Sequence, residues 1–482
     1  MSKDEVIGDL DITLERGNGL KPSDYNFSFI ADDGSYLFFN ALSGAFARVD
    51  SQRGEIVKEL LKNPASFECQ SDDDKKLLDS AIKGGYVIPE TVNELDILKT
   101  ISSIGRFSSD KLHLTIMPTL ACNLRCVYCY EEHPPQMMNR TTQDAIIAWV
   151  TSKMDTIRQL SIGWFGGEPL LNFKAMKYMS EQFQKICDRN GVKYKSSIST
   201  NAELLKPRFA DHMKNMSIKY FQITVDGPPD IHNQMRIRKD GKGTYNTIID
   251  NILYLYRIMP DANILLRVNV NESTIEHIPR FFDGLPDIIR RKADMYLAEI
   301  YQCTSFISED PNRKNTSIGA DNNIDTSRLS PMRQKMLEMA LKGAEYRRKE
   351  SPEKVTTRYQ MYPKPGYCEA EYANNFVVNP EGSLFKCTVS FQNDLKVGQV
   401  HADGTATFNL SKLAIWLSKN IFENEKCVAC KMLPLCMGGC QSARLKNPTA
   451  DGCPVAVSPN EMEPMLKLLY KEGIYKTSCS PE

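Results

Sequence analysis

A chain of 482 residues exceeds what one hydrophobic core sustains, and it predicts about three domains of roughly 150 residues each. Its 60 Lys and Arg cancel its 60 Asp and Glu, and no basic run forms an electrostatic footprint, so nucleic acid is excluded as a partner. The N-terminal MSKDEVIGDLDITLERG lacks the apolar segment of a signal peptide, and no window approaches the ~20 apolar residues of a membrane helix. The expectation is a cytoplasmic protein without a membrane partner, whose 14 cysteines stay reduced and, where clustered, act as metal ligands or redox groups.

Residues 25–50 alternate apolar and polar and break at Asp33-Gly34 and Ser43-Gly44, which predicts three short strands joined by hairpins. Helical spacing follows at Ile56, Leu60 and Leu61 and again at Leu77, Leu78 and Ile82, closing on GGYVIP. This β-then-α unit, drawn as residues 1–100, is either a cover for the rest or a recognition element, because an exposed strand edge accepts an extended peptide.

From residue 111 the rhythm becomes strand, loop, helix, with strands expected at 111–118, 161–166, 196–201, 220–227, 264–271 and 294–301. The helix after the first strand has Thr141 and Thr142 as cap candidates. Six such alternations predict an α/β fold, a partial (β/α)6 TIM-like barrel over residues 101–305, with chemistry at the C-terminal ends of its strands. Residues 306–328 are polar and aperiodic, a linker. A helix then starts at Ser330 and Pro331, with Met332, Met336 and Met339 on one face as core packing; linker and helix together span 306–355. Residues 356–482 are short strands and turns carrying seven clustered cysteines, Cys368 to Cys453.

Cys122, Cys126 and Cys129 close the first barrel strand in the stretch ACNLRCVYCYEEHPP. Thiolates hold iron-sulfur clusters, and a cubane has four irons, so three ligands leave one iron open to an exogenous group. A zinc site or unrelated thiols is the alternative, against which Tyr128 within the motif and the strand context weigh.

The stretch resembles the radical S-adenosylmethionine (SAM) signature, in which the amino and carboxylate groups of SAM chelate the open iron and the aromatic before the third cysteine, here Tyr128, sits beside the cofactor. The resemblance implies further contacts in chain order. Gly166, Gly167, Glu168 and Pro169 would offer backbone groups and a carboxylate to the methionine ammonium, and Ser199, Thr200 and Asn201 would contact the ribose and carboxylate. Arg236, in TVDGPPDIHNQMR, would meet the methionine carboxylate, and Asn269, in RVNVN, would lie near the adenosine.

The second cysteine set resembles the SPASM domain, which holds two auxiliary clusters in peptide-modifying enzymes. By that resemblance Cys427, Cys430, Cys436 and Cys453 ligate the second auxiliary cluster and Cys368, Cys387 and Cys440 the first. The first set is one thiol short; either Cys303 or Cys479 completes it or its iron is open, and the open iron, able to bind a peptide cysteine, is the expectation. A zinc ribbon would need only four thiols. Cys69 and Cys187 read as ordinary thiols.

Together the motifs resemble sactipeptide and ranthipeptide maturases, which implies three 4Fe-4S clusters and SAM as cofactors. The partners implied are a Cys-containing precursor peptide held through its leader by the N-terminal unit and a flavodoxin- or ferredoxin-like electron donor. The implied reaction is a sulfur-to-carbon thioether crosslink initiated by a 5'-deoxyadenosyl radical. Anaerobic sulfatase-maturing enzymes share the core, but they carry an Asp after the second SPASM cysteine, where this chain has Thr388. Carbon-carbon crosslinking and epimerisation stay open, and outside enzymology so do an iron-sulfur electron carrier and a peptide-binding chaperone.

Overall fold

The computed structural model describes residues 19–300, several positions between 335 and 346, and residues 361–471 apart from 362, 391–392, 419–420 and 447–458. Cys303, Cys453, Cys479, the 306–328 linker and the helix start at Ser330, Pro331 and Met332 lie outside the described residues. Met339 is buried and Met336 packs against the barrel core, as the methionine stripe predicts.

Strand β1 (Leu20–Pro22) precedes β2 (Asn26–Ile30), β3 (Tyr36–Asn40) and β4 (Phe46–Val49), and the last three form an antiparallel sheet in sequence order. Helices α1 (Ser51–Lys62) and α2 (Asp72–Lys83) follow at the predicted places; Ser71 and Asp74 close a capping box that starts the second. The VIP of GGYVIP is a strand, β5 (Val87–Pro89), pairing with β1. Its three residues are too few for a period to announce them. Helix α3 (Glu94–Phe107) then runs through the boundary drawn at residue 100, and Arg106 near its end bonds the carbonyls of Glu371 and Leu417.

Six parallel strands make the barrel: β6 (Lys111–Ile116), then past a short β7 (Leu124–Cys126), β8 (Gln159–Trp164), β9 (Lys193–Thr200) and β10 (Ile218–Thr224), and past β11 (Arg236–Arg238), β12 (Asn263–Val270) and β13 (Asp294–Glu299). They lie in sequence order, each in parallel register with the next. Their outward residues, among them Leu114, Ile116, Ile162, Trp164, Ile198 and Ile223, are buried under α4 (Arg140–Thr151), α5 (Phe173–Asn190) and the helices that follow. Burying each such side chain contributes about 1.5–3 kcal/mol. The cap of α4 differs from expectation. Asn139, not Thr141 or Thr142, is the N-cap, and its side chain accepts from the Thr142 backbone N–H.

The alternate residues line the lumen and are polar: a side chain at Gly163 would meet Thr115, Ser197 and His113. The barrel does not end at its first strand. Strand β14 (Asn375–Val378) pairs in parallel with β6, and β15 (Ser383–Phe385), β16 (Gly398–Val400) and β17 (Ala406–Phe408) extend the sheet antiparallel to ten strands, with β13 and β17 as its edges. No helix among the described residues is long and apolar enough to cross a membrane.

Candidate functional site

Beyond β6 the chain turns across the strand ends. Thr119 donates its hydroxyl to the Gln136 carbonyl, and Leu120 N–H bonds the same oxygen at 3.0 Å. The loop then forms β7, which pairs antiparallel with β11 so that Cys126 stands opposite Arg236. The backbone N–H of Leu124 reaches the Cys122 sulfur at 3.4 Å, and that of Cys129 the Cys126 carbonyl at 3.1 Å. Burial pushes the Cys122 thiol up to about 12 and the Cys129 thiol to about 11, and raises Cys126 as well; the three lie within electrostatic reach of one another. Cys122 is buried and Cys126 and Cys129 are half-buried, and thiols that resist ionisation in this way need a metal to draw off their protons. No three His, Cys, Asp or Glu among the described residues converge on a single ion. A cubane does not require it, since each thiolate caps a different iron.

Gly166 and Gly167 press against this loop. Gly166 holds φ +120°, which only glycine adopts freely, and a Cβ at Gly167 would run into the carbonyl oxygens of Leu120 and Ala121. The tight approach carries Glu168, fully buried, within electrostatic reach of Cys122. Its carboxylate accepts from Thr200 Oγ1 at 2.8 Å, from Asn201 N–H at 2.8 Å and from Leu170 N–H at 3.1 Å, capping the helical turn that Pro169 begins. Asn201 in turn donates to Asn123 at 2.9 Å. Thus the GGEP and STN segments, 30 residues apart in sequence by number, meet at one carboxylate. Ser199 alternates to the opposite face of β9 from Thr200.

Burial raises Glu168 to about 7 despite these three donors. The folded chain therefore holds this proton more tightly than the unfolded chain, whose value is 4.5. Stability present below that value is lost as pH rises to about 7, by an amount on the order of 3 kcal/mol. In the metal-free chain, Glu168→Gln should gain stability relative to the parent by about that much between pH 5 and 8. Thermal unfolding across that range checks it, and a pH-independent difference would refute it.

A second network sits on the other side. The Tyr128 hydroxyl donates to Asp226 and accepts from Arg236 at 2.7 Å and from Asn269 Nδ2 at 3.0 Å. Asn269 N–H donates to Asp226 at 2.8 Å, and Arg236 pairs with Asp226 at 3.6 Å. Burial opposes the charge on Arg236, but Tyr128, Cys126 and Asp226 outweigh it and keep the guanidinium protonated. One atom is left over: Arg236 Nε is buried with no hydrogen-bond partner, as a cradle for a carboxylate would leave it. Asp226 and Glu203, which bonds Asn123 at 2.9 Å and Arg238 at 3.0 Å, are absent from the sequence-derived site. The Asp-Gly after β10 was visible, but nothing in one dimension says that it meets Tyr128.

The SPASM-like cysteines fall into two places. Cys368, Cys387 and Cys440 lie within electrostatic reach, with Cys368 pushed by burial to about 12. Cys368 and Cys387 line a cavity of about 150 Å³ with His113, Thr115, Lys386 and Thr388. Burial pulls the Lys386 ammonium down to about 7, against the influence of Cys368. Tyr130 lies within electrostatic reach of both Cys129 and Cys387. Cys427, Cys430 and Cys436 pack instead against a core that joins Phe27, Leu37 and Phe39 of the N-terminal sheet to Ile421, Met432, Leu433 and Met437. Between Cys436 and Cys440, Met437, Gly438 and Gly439 all take positive φ, which reverses the chain. Two glycines make that reversal cheap, and Met437, 1% exposed, anchors it in the core. Cys69 is half-buried, and Cys187 is buried in the barrel core.

Residues 116–283, the span that holds the first thiol set, Glu168, Arg236 and Asn269, match the model of the Radical SAM superfamily. That span is a radical SAM core. The chain is similar to the cysteine-type anaerobic sulfatase-maturating enzyme of Clostridium novyi (strain NT), 25% identical over 70% of this chain and 89% of that one. It is also similar to the radical SAM cyclopropyl synthase TigE of Paramaledivibacter caminithermalis, 22% identical over 55% of this chain and 65% of that one. The structure of anSMEcpe with bound AdoMet and Cp18Cys peptide shares the fold at a TM-score of 0.53, 19% identity, over 76% of this chain and 97% of that one.

Proposed function

We propose that this radical SAM chain modifies a ribosomally made peptide, joining a cysteine sulfur to a carbon of the same peptide. The observation that carries the reading is the nearness of the two thiol sets: Tyr130 lies within electrostatic reach of both Cys129 and Cys387, and Cys387 lines a cavity with Cys368. A peptide entering there would present its reacting carbon to one thiol set and its cysteine to the other.

In this reading Cys122, Cys126 and Cys129 ligate a 4Fe-4S cluster, while Glu168, Thr200, Asn201, Tyr128, Arg236 and Asn269 hold SAM, the orphaned Arg236 Nε taking its carboxylate. When bound, cluster and SAM supply one-electron cleavage to a hydrogen-abstracting 5'-deoxyadenosyl radical. The residues of the chain do the rest. Glu168 and Asp226 fix their cradles from opposite sides, Trp164 and the apolar outer face of the strands keep the sheet rigid, and the thiols of Cys368, Cys387 and Cys440 hold a first auxiliary cluster near the peptide sulfur. Cys427, Cys430, Cys436 and Cys453 hold the second. The N-terminal sheet, with β2 and β4 as its edges, pairs the leader of the peptide, and a flavodoxin- or ferredoxin-like donor supplies the electron.

A second reading, oxidation of a cysteine to formylglycine, is favoured by the 89% of the Clostridium novyi sulfatase-maturating enzyme that the chain matches. Thr388, which can not take up a proton as an aspartate would, argues against it. The test is anaerobic incubation of the reconstituted chain with SAM, dithionite and any small Cys-rich peptide encoded beside it. Thioether formation gives 5'-deoxyadenosine and a peptide that loses two hydrogens, keeps its sulfur and resists thiol alkylation. A product that has lost sulfur establishes the second reading, and absence of 5'-deoxyadenosine defeats both.

A further inference from the structure

Lys386 directly precedes Cys387 and is only 3% exposed. Its ammonium donates to the backbone carbonyls of Tyr372 and, at 2.6 Å, of Asn375, and it lies over the Phe376 ring, 4.7 Å from the centroid. An ammonium has three N–H groups, so one remains outside that pair. Among the described residues no carboxylate pairs with it; the charges that act on it are the Cys368 thiol, which favours its charge, and Arg106, which opposes it. Of the acids on the Cys368 segment, Glu369 lines the same cavity but faces His113 at 3.4 Å, and Glu371 is bonded to Arg444 at 2.7 Å.

A buried cation with no counter-charge is a heavy burden on a fold, and so is a set of half-buried thiols that must ionise to bind a metal. Here the two burdens share one wall of one cavity, where Lys386 lies with Cys368 and Cys387. Each cancels the other once the sulfurs are thiolates on a metal.

We propose that Lys386 is the fixed counter-ion of the Cys368, Cys387 and Cys440 set and raises the reduction potential of the cluster held there. The inference rests on the reading that these thiols ligate a 4Fe-4S cluster. Reduction adds one electron and one negative charge to that cluster, and an adjacent ammonium favours the reduced form. The role is one of tuning through the sulfurs; Lys386 touches no substrate.

The experiment uses the full chain carrying Cys122→Ala, Cys126→Ala and Cys129→Ala, so that only auxiliary clusters contribute, and follows its EPR signals in a potentiometric titration with dithionite. Adding Lys386→Met should make one cluster at least tenfold harder to reduce, a shift of about 59 mV to more negative potential for a one-electron couple. Lys386→Arg, which keeps the charge, should stay within about threefold of the parent. Should Lys386→Met fail to load iron, Lys386→Gln, which keeps a donor for the carbonyls, carries the measurement. Iron lost from both neutral variants but kept by Lys386→Arg supports the counter-ion role. Iron lost from all three overturns it in favour of packing. Neutral variants with full iron and unmoved potentials overturn the inference while leaving the cluster assignment intact. If the parent triple variant holds no iron, the assignment falls and this inference with it.

Discussion

Replacing Cys126 by Ala will abolish cleavage of SAM, lowering 5'-deoxyadenosine to below about a thousandth of that from the parent chain. Desolvation raises the thiols of Cys122, Cys126 and Cys129 above their ordinary values, and a metal that takes all three as thiolates relieves that cost. With Cys126 gone, a cubane there would expose two irons, and β7 would lose the group that faces Arg236 across its pairing with β11. Iron per chain should fall by about a third if three equal clusters are present. Cys69→Ala is the control: that half-buried thiol belongs to neither set, and its loss should change neither iron nor product. Chromatography of the anaerobic reaction, with iron analysis of the same sample, decides the matter. Product from Cys126→Ala at the parent rate would mean that the radical chemistry does not run through these three residues.

The second large effect is expected at Arg236. Arg236→Met leaves the Asp226 carboxylate, whose side chain is 0% exposed, without its cationic partner and strips a donor from Tyr128. Breaking a buried pair from one side costs about 3–5 kcal/mol. For a core of this size that lowers the thermal midpoint by roughly 10 °C. Adding Asp226→Asn should restore much of the stability, because the uncompensated charge disappears with it. SAM binding should not return in the double variant, since the buried Nε that awaits a carboxylate is still missing. Thermal unfolding with equilibrium dialysis of SAM separates the two losses. A variant that melts like the parent would show that Asp226 is not the group Arg236 balances, and retained SAM affinity would remove Arg236 from the cradle.

Several of these features were legible in one dimension. The strands of the barrel announce themselves because each is buried on its outer face and repeats every second residue, as Leu160, Ile162 and Trp164 do in β8. The first thiol set is legible because its ligands lie within eight positions of one loop. The capping of α4 is a case where the sequence suggested Thr141 and Thr142 and the fold took Asn139, just upstream of both. Strands β5 and β14 went unread because three or four residues are too short for any period, and their pairing with β1 and β6 joins segments far apart along the chain.

What the sequence determined by itself is local chemistry: which residues can bind a metal, where strands alternate with helices, and which turns need glycine. Tertiary structure decided the long-range meetings. It brought Asp226 to Tyr128, Glu168 within electrostatic reach of Cys122, β14 beside β6, and Cys427, Cys430 and Cys436 against a core shared with the N-terminal sheet. The physical reason is that hydrogen bonds and burial act over a few ångströms in space whatever the separation along the chain. A carboxylate's partners are chosen by the packed fold, and only the carboxylate itself is written in the residue order.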